Sequence, residues 1–550
     1  MSYDGILALL GDEAAALGAI HAGLSAAYGY PGTPSTEILE YLIEKSKGSC
    51  SFNAKWCSNE KTALEAALGT SFAGKRAIVT MKHVGLNVAA DPYMNAALLG
   101  INGGLVIAVA DDPGMHSSQG EQDSRYFSAF ALAPCLEPRN QQEAYDMCRE
   151  AFQVSERYHV PVMLRLTTRL SHSRAAVKTG PEEKAKGLSK IKDRTQWLLL
   201  PANARRNYEN LVEKQKDLSV WSTTHTVNKL QMADPLFAVI TSGLGGNYYE
   251  ENLKDLLSSR GGTAPSRLHI GAYPLPVESI RKLCEKAGKL LVVEEGQPFI
   301  EERIKGILPQ GIIINGKLDG TLNRTGELDP DNVRKGLGLP PRPSVLEAGL
   351  KIPELPGRPP QLCQGCPHGD SFLAINKALA ELGSGQGCPD SAVTSDIGCY
   401  TLSAAPPYSA IESCVCMGAS IGMARGAAEA GIKYAVATIG DSTFLHSGIT
   451  ALVDAIQSDT PMTAVILDNS IVAMTGCQET IVPSEKLKDL VLGLGVKPEH
   501  LLVLEAKGQL LEENVTKLKN EFEFPGLSVV IFRRECLEAF RKRRKNQAHV

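Results

Sequence analysis

The sequence predicts an α/β protein built of several doubly wound, mainly parallel-sheet domains. Three observations carry that prediction: short apolar runs recur through most of the chain, the runs are continuous rather than alternating, and helix-length segments separate them. A continuous run is what a strand covered on both faces requires. Regular alternation of such strands with helices reads as repeated βα units.

The strands expected in the first part are Ala77–Met81, Leu105–Val109 and Val160–Leu164. Phe237–Ile240 and Leu290–Val293 follow in a middle part, and Tyr434–Thr438, Thr463–Leu467 and Leu527–Ile531 in the last. Composition marks the divisions between them. Residues 176–232 are rich in Lys, Glu and Gln without a strand pattern, which reads as a linker region with helical parts. Residues 341–360 are proline-rich, which reads as an extended connector. The expected domains are therefore 1–175, 233–340 and 361–550, and no repeat at the scale of solenoid proteins is present.

With 550 residues the chain is long enough for three or four domains at about 150 residues each. It is 43% hydrophobic and 21% charged, as soluble globular proteins are. A formal net charge of -4 gives no sign of a nucleic-acid partner. The basic run Arg541–Lys545 is expected to be a solvated tail, with a partner subunit as the alternative contact. No stretch reaches the roughly 18 uncharged apolar residues of a membrane span. Met1 to Gly11 lack a basic, leader-like segment. The 13 cysteines are then expected in a cytoplasmic protein, as thiols or metal ligands rather than a disulfide framework.

The third domain holds the most informative pattern. A strand runs into Gly440-Asp441-Ser442, and the next strand ends at Asp468-Asn469, with residues 443–468 between Ser442 and Asn469. This layout resembles the metal–diphosphate motif of thiamine-diphosphate enzymes. Mg²⁺ is a hard ion that takes oxygen ligands and keeps phosphates in its shell. The resemblance implies the Asp441 carboxylate, the Asn469 amide oxygen and the Ile471 carbonyl as its protein ligands, with Gly440 and Ser442 beside the diphosphate. Met417-Gly418, at the start of a small-residue helix, stands where such enzymes prop the bent cofactor; an ordinary core methionine is the alternative.

In the first domain, Glu60 opens the pattern E-xx-A-xxx-A-x-G through Ala63, Ala67 and Gly69. It resembles the pyrimidine-binding domain of the same enzymes. Glu60 is then the acid that hydrogen-bonds N1′ of the aminopyrimidine; Glu65 is the rival, and a helix-start glutamate that merely satisfies the macrodipole is the bland reading.

Three passages resemble one branch, the 2-oxoacid:ferredoxin oxidoreductases, and within it the indolepyruvate subfamily. Tyr30-Pro-Gly-Thr33-Pro-Ser-Thr-Glu37 is similar to that branch's substrate loop, which implies that Thr33 hydrogen-bonds the oxoacid. Met81-Lys82-His83-Val-Gly85-Leu-Asn87 and Ser117–Arg125 follow predicted strands, where α/β active-site loops belong. Lys82, His83 or Arg125 is expected to offset substrate or intermediate charge.

Cys363-Gln-Gly-Cys366-Pro-His368 is joined by Gly398-Cys399 and Cys536. The resemblance implies that these four cysteines bind one [4Fe–4S] cluster and that His368 lies at the cofactor. A Cys₄ zinc site, free thiols or a redox pair remain open. So do Cys388, Cys414 and Cys416 as ligands, while Cys50, Cys57, Cys135, Cys148, Cys284 and Cys477 are expected to pack as small hydrophobes. Cys477 stands where the subfamily usually has His.

The function implied is oxidative decarboxylation of an arylpyruvate such as indolepyruvate or phenylpyruvate to the acyl-CoA. The implied partners are coenzyme A, the 2-oxoacid, a smaller beta subunit in a dimer of heteromers, and ferredoxin or a separate ferredoxin-like subunit. The last follows because the family's C-terminal C-x₂-C-x₂-C-x₃-C domain has no counterpart in this sequence. A non-oxidative 2-oxoacid decarboxylase and a non-catalytic scaffold are the alternatives.

Overall fold

The computed structural model describes residues 5–47, 51–189, 193, 195–342, 360–385 and 388–547. The chain forms two compact units, Met1–Ile352 and Pro353–Val550.

Among the described residues the first unit contains two large sheets and one two-stranded sheet. A seven-stranded sheet runs, edge to edge, 272–273, 135–136, 162–167, 105–111, 77–82, 26–29, 53–56. All neighbours are parallel except the pair Ala272–Tyr273 with Cys135–Leu136. The expected runs lie at its centre: Ala77–Met81 and Leu105–Asp111 are buried throughout, as strands sheathed by helices on both faces must be. The strand foreseen at 160–164 runs instead from Val162 to Thr167. Pro161 has no N–H for a ladder. Arg165, which ended the apolar run in the sequence, is buried with its charge paired to Asp111 and Glu137.

The second sheet of this unit has the order 313–315, 289–293, 234–242, 265–270, 230–231. Strand Ala272–Tyr273 comes from this middle segment yet pairs into the first sheet. The stretch read as a linker region contributes most of strand Arg174–Lys178, which pairs antiparallel with Ile6–Leu10. It also forms the helix Pro201–Thr224, which buries Leu211 and Leu218.

The second unit is built on a six-stranded parallel sheet of order 413–414, 391–395, 434–440, 462–468, 527–533, 501–505. Alternate residues of one strand feed two cores. From Met462–Asp468, Val465 and Leu467 pack with Phe372 and Phe522. Met462, Ala464 and Ile466 pack with Ile421 and Leu452. The basic run lies on a helix, Leu537–Gln547, on which Arg541 to Arg544 are exposed to solvent. Most of the 341–360 connector and Cys50 lie outside the described residues, as does the Lys545 side chain.

Candidate active site

In the second unit the carboxyl ends of four adjacent strands converge. Strand Ser391–Ser395 delivers Asp396 and Cys399, and Tyr434–Gly440 delivers Asp441. Met462–Asp468 delivers Asn469, and Leu527–Arg533 delivers Cys536. Ligands of open α/β sheets bind at such ends.

The Asp441 carboxylate is buried and accepts backbone hydrogen bonds from Ser442 at 2.7 Å and Ser470 at 2.8 Å. Burial, with Asp468 nearby, pushes its pKa up to about 8. Each oxygen keeps a lone pair, so the carboxylate fits a cation ligand. The Asn469 Oδ1 accepts from Ile471 N at 3.1 Å, and its Nδ2 donates to His368 Nε2 at 3.1 Å. His368 is buried, which pulls its pKa down to about 4; the neutral ring carries an acceptor, as this bond requires. Asp441, Asn469 and Ile471 are thus oxygen donors brought to one loop region, and the set fits Mg²⁺.

Gly440 has a reason of its own. A Cβ there would stand 2.6 Å from Tyr400 Cε1. The Tyr400 hydroxyl donates to Ile397 O at 3.1 Å, lies 3.1 Å from Thr443 Oγ1, and its ring meets that of His368 edge-on at 5.8 Å. Sequence reasoning passed over Tyr400, although it directly follows Cys399. Asp396 was missed too. Its carboxylate accepts from Ser420 N at 3.2 Å and so holds the start of helix Ala419–Glu429. Gly418, at the head of that helix, has φ +92°, which favours glycine, and a Cβ there would strike Ser447. Half-buried Met417 directly precedes it.

Cys363, Cys366, Cys399 and Cys536 line one cavity of about 110 Å³ together with His368 and Asn469. Burial pushes the Cys399 thiol up to about 12, reinforced by Cys366, Cys536 and Cys363 around it. Cys536 N donates to Asn469 O at 3.2 Å, and Arg534 N to Asp468 O at 3.0 Å. The Asp468–Asn469 segment and the thiol cavity therefore share one backbone platform. Among the described residues, no three His, Cys, Asp or Glu side chains are arranged around a single metal ion. Cys477 is not a simple core residue. It has φ +67°, and its thiol is close enough to Cys536 to be raised by it. Cys135, Cys148 and Cys284 are buried as expected, and Cys57 is half-buried.

In the first unit, the adjacent strands 105–111, 77–82, 26–29 and 53–56 bring their following loops to one edge. Glu60 starts the helix Glu60–Phe72, capped by the Asn59 side chain, and is buried. A Cβ at Gly85 would stand 2.7 Å from Glu60 Cγ and 2.8 Å from its Cδ, so glycine at 85 makes room for this acid. Glu65 pairs instead with Lys61 on the exposed face. Thr33 O accepts from Ser117 Oγ at 3.0 Å, and buried His83 places Nε2 2.9 Å from Gly120 O. The Tyr30–Glu37 loop, the Lys82-His83 turn and the Ser117–Gly120 loop thus join one another, and Gly85 after that turn adjoins Glu60.

Arg125 lies elsewhere, and its expected contact with substrate is corrected by its surroundings. It is 1% exposed. Its guanidinium pairs with Asp123, Glu294 and Glu137 and reaches Ser242, Tyr273 and two backbone carbonyls. All three nitrogens are engaged, and the side chain ties the two large sheets of the unit together.

Comparison with known proteins agrees with this geometry. Residues 17–235 match the family described as pyruvate flavodoxin/ferredoxin oxidoreductase, thiamine-diphosphate-binding. Residues 396–506 match the thiamine pyrophosphate enzyme C-terminal binding domain. The chain is 36% identical to indolepyruvate oxidoreductase subunit IorA of Archaeoglobus fulgidus over 98% of this chain and 88% of that one. It is 37% identical to the same subunit of Methanothermobacter marburgensis, over 96% and 87%. A 2-oxoglutarate:ferredoxin oxidoreductase from Magnetococcus marinus shares the fold at 16% identity and TM-score 0.50, covering 60% of this chain and 65% of that one. No described helix is long and apolar enough to cross a membrane. On residues and geometry alike, the chain belongs to the indolepyruvate oxidoreductase subunit IorA family of thiamine-diphosphate-dependent 2-oxoacid oxidoreductases.

Proposed function

We propose that this chain is the catalytic subunit of a cytoplasmic 2-oxoacid:ferredoxin oxidoreductase that converts an arylpyruvate and coenzyme A to an acyl-CoA and carbon dioxide. The observation that carries the reading is the shared platform of the second unit, where four cysteines gather round a cavity directly beside the Asp441–Asn469 loop. Thiols spread around a cavity, rather than closed on a point, suit a [4Fe–4S] cluster better than a single zinc ion.

Asp441, Asn469 and the Ile471 carbonyl would hold Mg²⁺ and through it the diphosphate, with Met417 and Gly418 under the cofactor. When bound, thiamine diphosphate supplies the electron sink that decarboxylation of a 2-oxoacid needs. Glu60, buried and fixed at its helix start, holds a proton at the aminopyrimidine. Thr33 orients the oxoacid, and His83 fixes the loop around Gly120. The four cysteines would hold the electron carrier beside the Asp441–Asn469 loop, and ferredoxin or a ferredoxin-like subunit would receive the electrons. A smaller beta subunit completes a dimer of heteromers, in keeping with the relatives being named as subunits.

The test is iron and sulfide analysis of anaerobically prepared protein, with phenylpyruvate- and coenzyme-A-dependent viologen reduction in the presence of its partner. The expected result is about four irons per chain for one cubane and activity that requires coenzyme A. An iron-free protein that still releases carbon dioxide would instead be a non-oxidative decarboxylase. One that binds no thiamine diphosphate would be a scaffold.

A further inference from the structure

Lys82 ends strand Ala77–Lys82 and heads the short helix that follows, at the edge where Glu60 and the Tyr30–Glu37 loop meet. Its aliphatic stem lies on Gly32. A Cβ at Gly32 would stand 3.0 Å from Lys82 Cδ and 3.1 Å from Cγ, so that glycine is the seat of the lysine. The seat is stiff. Ser35 N donates to Gly32 O at 2.9 Å, and Gly32 N donates to Thr36 Oγ1 at 3.0 Å.

The ammonium is half-buried and donates to the backbone carbonyl of Ser117 at 3.0 Å. Ser117 in turn donates to Thr33 O at 3.0 Å. Among the described residues no carboxylate forms an ion pair with it. The nearby acids are Asp112 and Glu60. Asp112 already has its partners: Ser117 N at 2.8 Å, Ser118 Oγ at 2.7 Å and Thr168 Oγ1 at 2.7 Å. Burial pulls the Lys82 ammonium down to about 8. A half-buried cation bonded to a neutral carbonyl, without an ion-paired counter-charge among the described residues, is open to an anion.

We propose that Lys82, seated on Gly32 beside Thr33, is the carboxylate anchor of the 2-oxoacid. The inference rests on the proposed function for the identity of the anion. A carboxylate can pair with the lysine ammonium as with a point charge, and arginine, whose fork also matches a carboxylate, can stand in for it. The carboxylate is the group lost as carbon dioxide, so a cation holding it stabilises bound substrate at least as well as the transition state. Lys82 is therefore a binding residue whose removal acts on KM more than on kcat.

The experiment uses the complete complex, loaded with cofactor, as wild type, Lys82→Met and Lys82→Arg. Calorimetry measures binding of 3-phenylpropanoate and of its neutral amide, and steady-state assays measure phenylpyruvate turnover. The expected result for Lys82→Met is roughly ten- to a hundred-fold weaker 3-phenylpropanoate binding, a parallel rise in KM, and unchanged amide binding. Lys82→Arg is expected to recover much of the loss. Equal weakening for acid and amide, a fall in kcat at constant KM, or no change overturns the proposal. A wild-type complex that binds the acid more tightly than the amide but turns over no 2-oxoacid would refute the proposed reaction alone, and the binding comparison would still decide Lys82.

Discussion

Asn469 donates its side-chain N–H to His368 Nε2 across 3.1 Å, and so joins the loop that follows strand Met462–Asp468 to the residue two places after Cys366. The bond fixes which end of the amide faces away from His368. Replacing His368 by Phe leaves that N–H buried and unpaired and frees the amide to turn. Magnesium-dependent thiamine diphosphate affinity should fall about 10- to 100-fold, as is usual when a supporting partner of a ligand is removed. Titration by fluorescence quenching checks this; unchanged affinity would refute a supporting role for His368.

Glu60 and Gly85 form a second pair open to test. Glu60→Gln should lower turnover about 10²- to 10⁴-fold while the cofactor still binds. Gly85→Ala should mimic it in part, because the added methyl group meets the Glu60 carboxyl group. Activity near wild type in Gly85→Ala would show that Glu60 has room to move.

The thiol cavity makes a chemical prediction. Cys366→Ser and Cys536→Ser should each lose most of the iron and the visible absorbance, since a cubane uses four thiolates. Cys414→Ser should keep both, because Cys414 does not line that cavity. Iron content measured under anaerobic conditions decides.

Arg125 is expected to matter for stability. Arg125→Met leaves Asp123 and Glu294 buried beside an apolar side chain, which should cost about 3–5 kcal/mol. Chemical denaturation measures the loss. A variant of wild-type stability with selectively raised KM would return Arg125 to the substrate site.

Asp12 predicts a pH dependence. It is fully buried, and neither of its oxygens has a hydrogen-bond partner among the described residues. Burial, with Glu37 nearby, pushes its pKa up to about 8. In the unfolded chain an aspartate titrates near 3.9. Between these values the unfolded chain has released a proton that the folded chain keeps. Stability should therefore fall as pH rises through that window. Asp12→Asn should remove this dependence and raise the unfolding midpoint at pH 8 more than at pH 5.

Much of the fold was legible because continuous apolar runs report two-sided burial directly. The eight expected strands all exist, within a few residues at their ends. Short strands such as Ala26–Gly29 and Asn53–Trp56 were not legible, since four residues of mixed polarity carry no period. The extension through Arg165 was hidden because a charge looks like a strand's end until its buried partners are known.

For the site, the sequence by itself determined which residue types stand after which strands: an acid and an amide after two successive strands, and Cys536 after a third; the strand that delivers Cys399, Ser391–Ser395, was not read from it. Parallel βα topology alone sends such loops to one edge. Only tertiary structure decided that Arg125 serves the interior and Lys82 the edge, though both are basic residues in matching passages. It also decided that Tyr400 fills the space beside Gly440, and that His368 and Cys536 meet at Asn469. The reason is that the role of a polar side chain depends on which partners desolvation forces on it, and those partners come from segments far away in the chain.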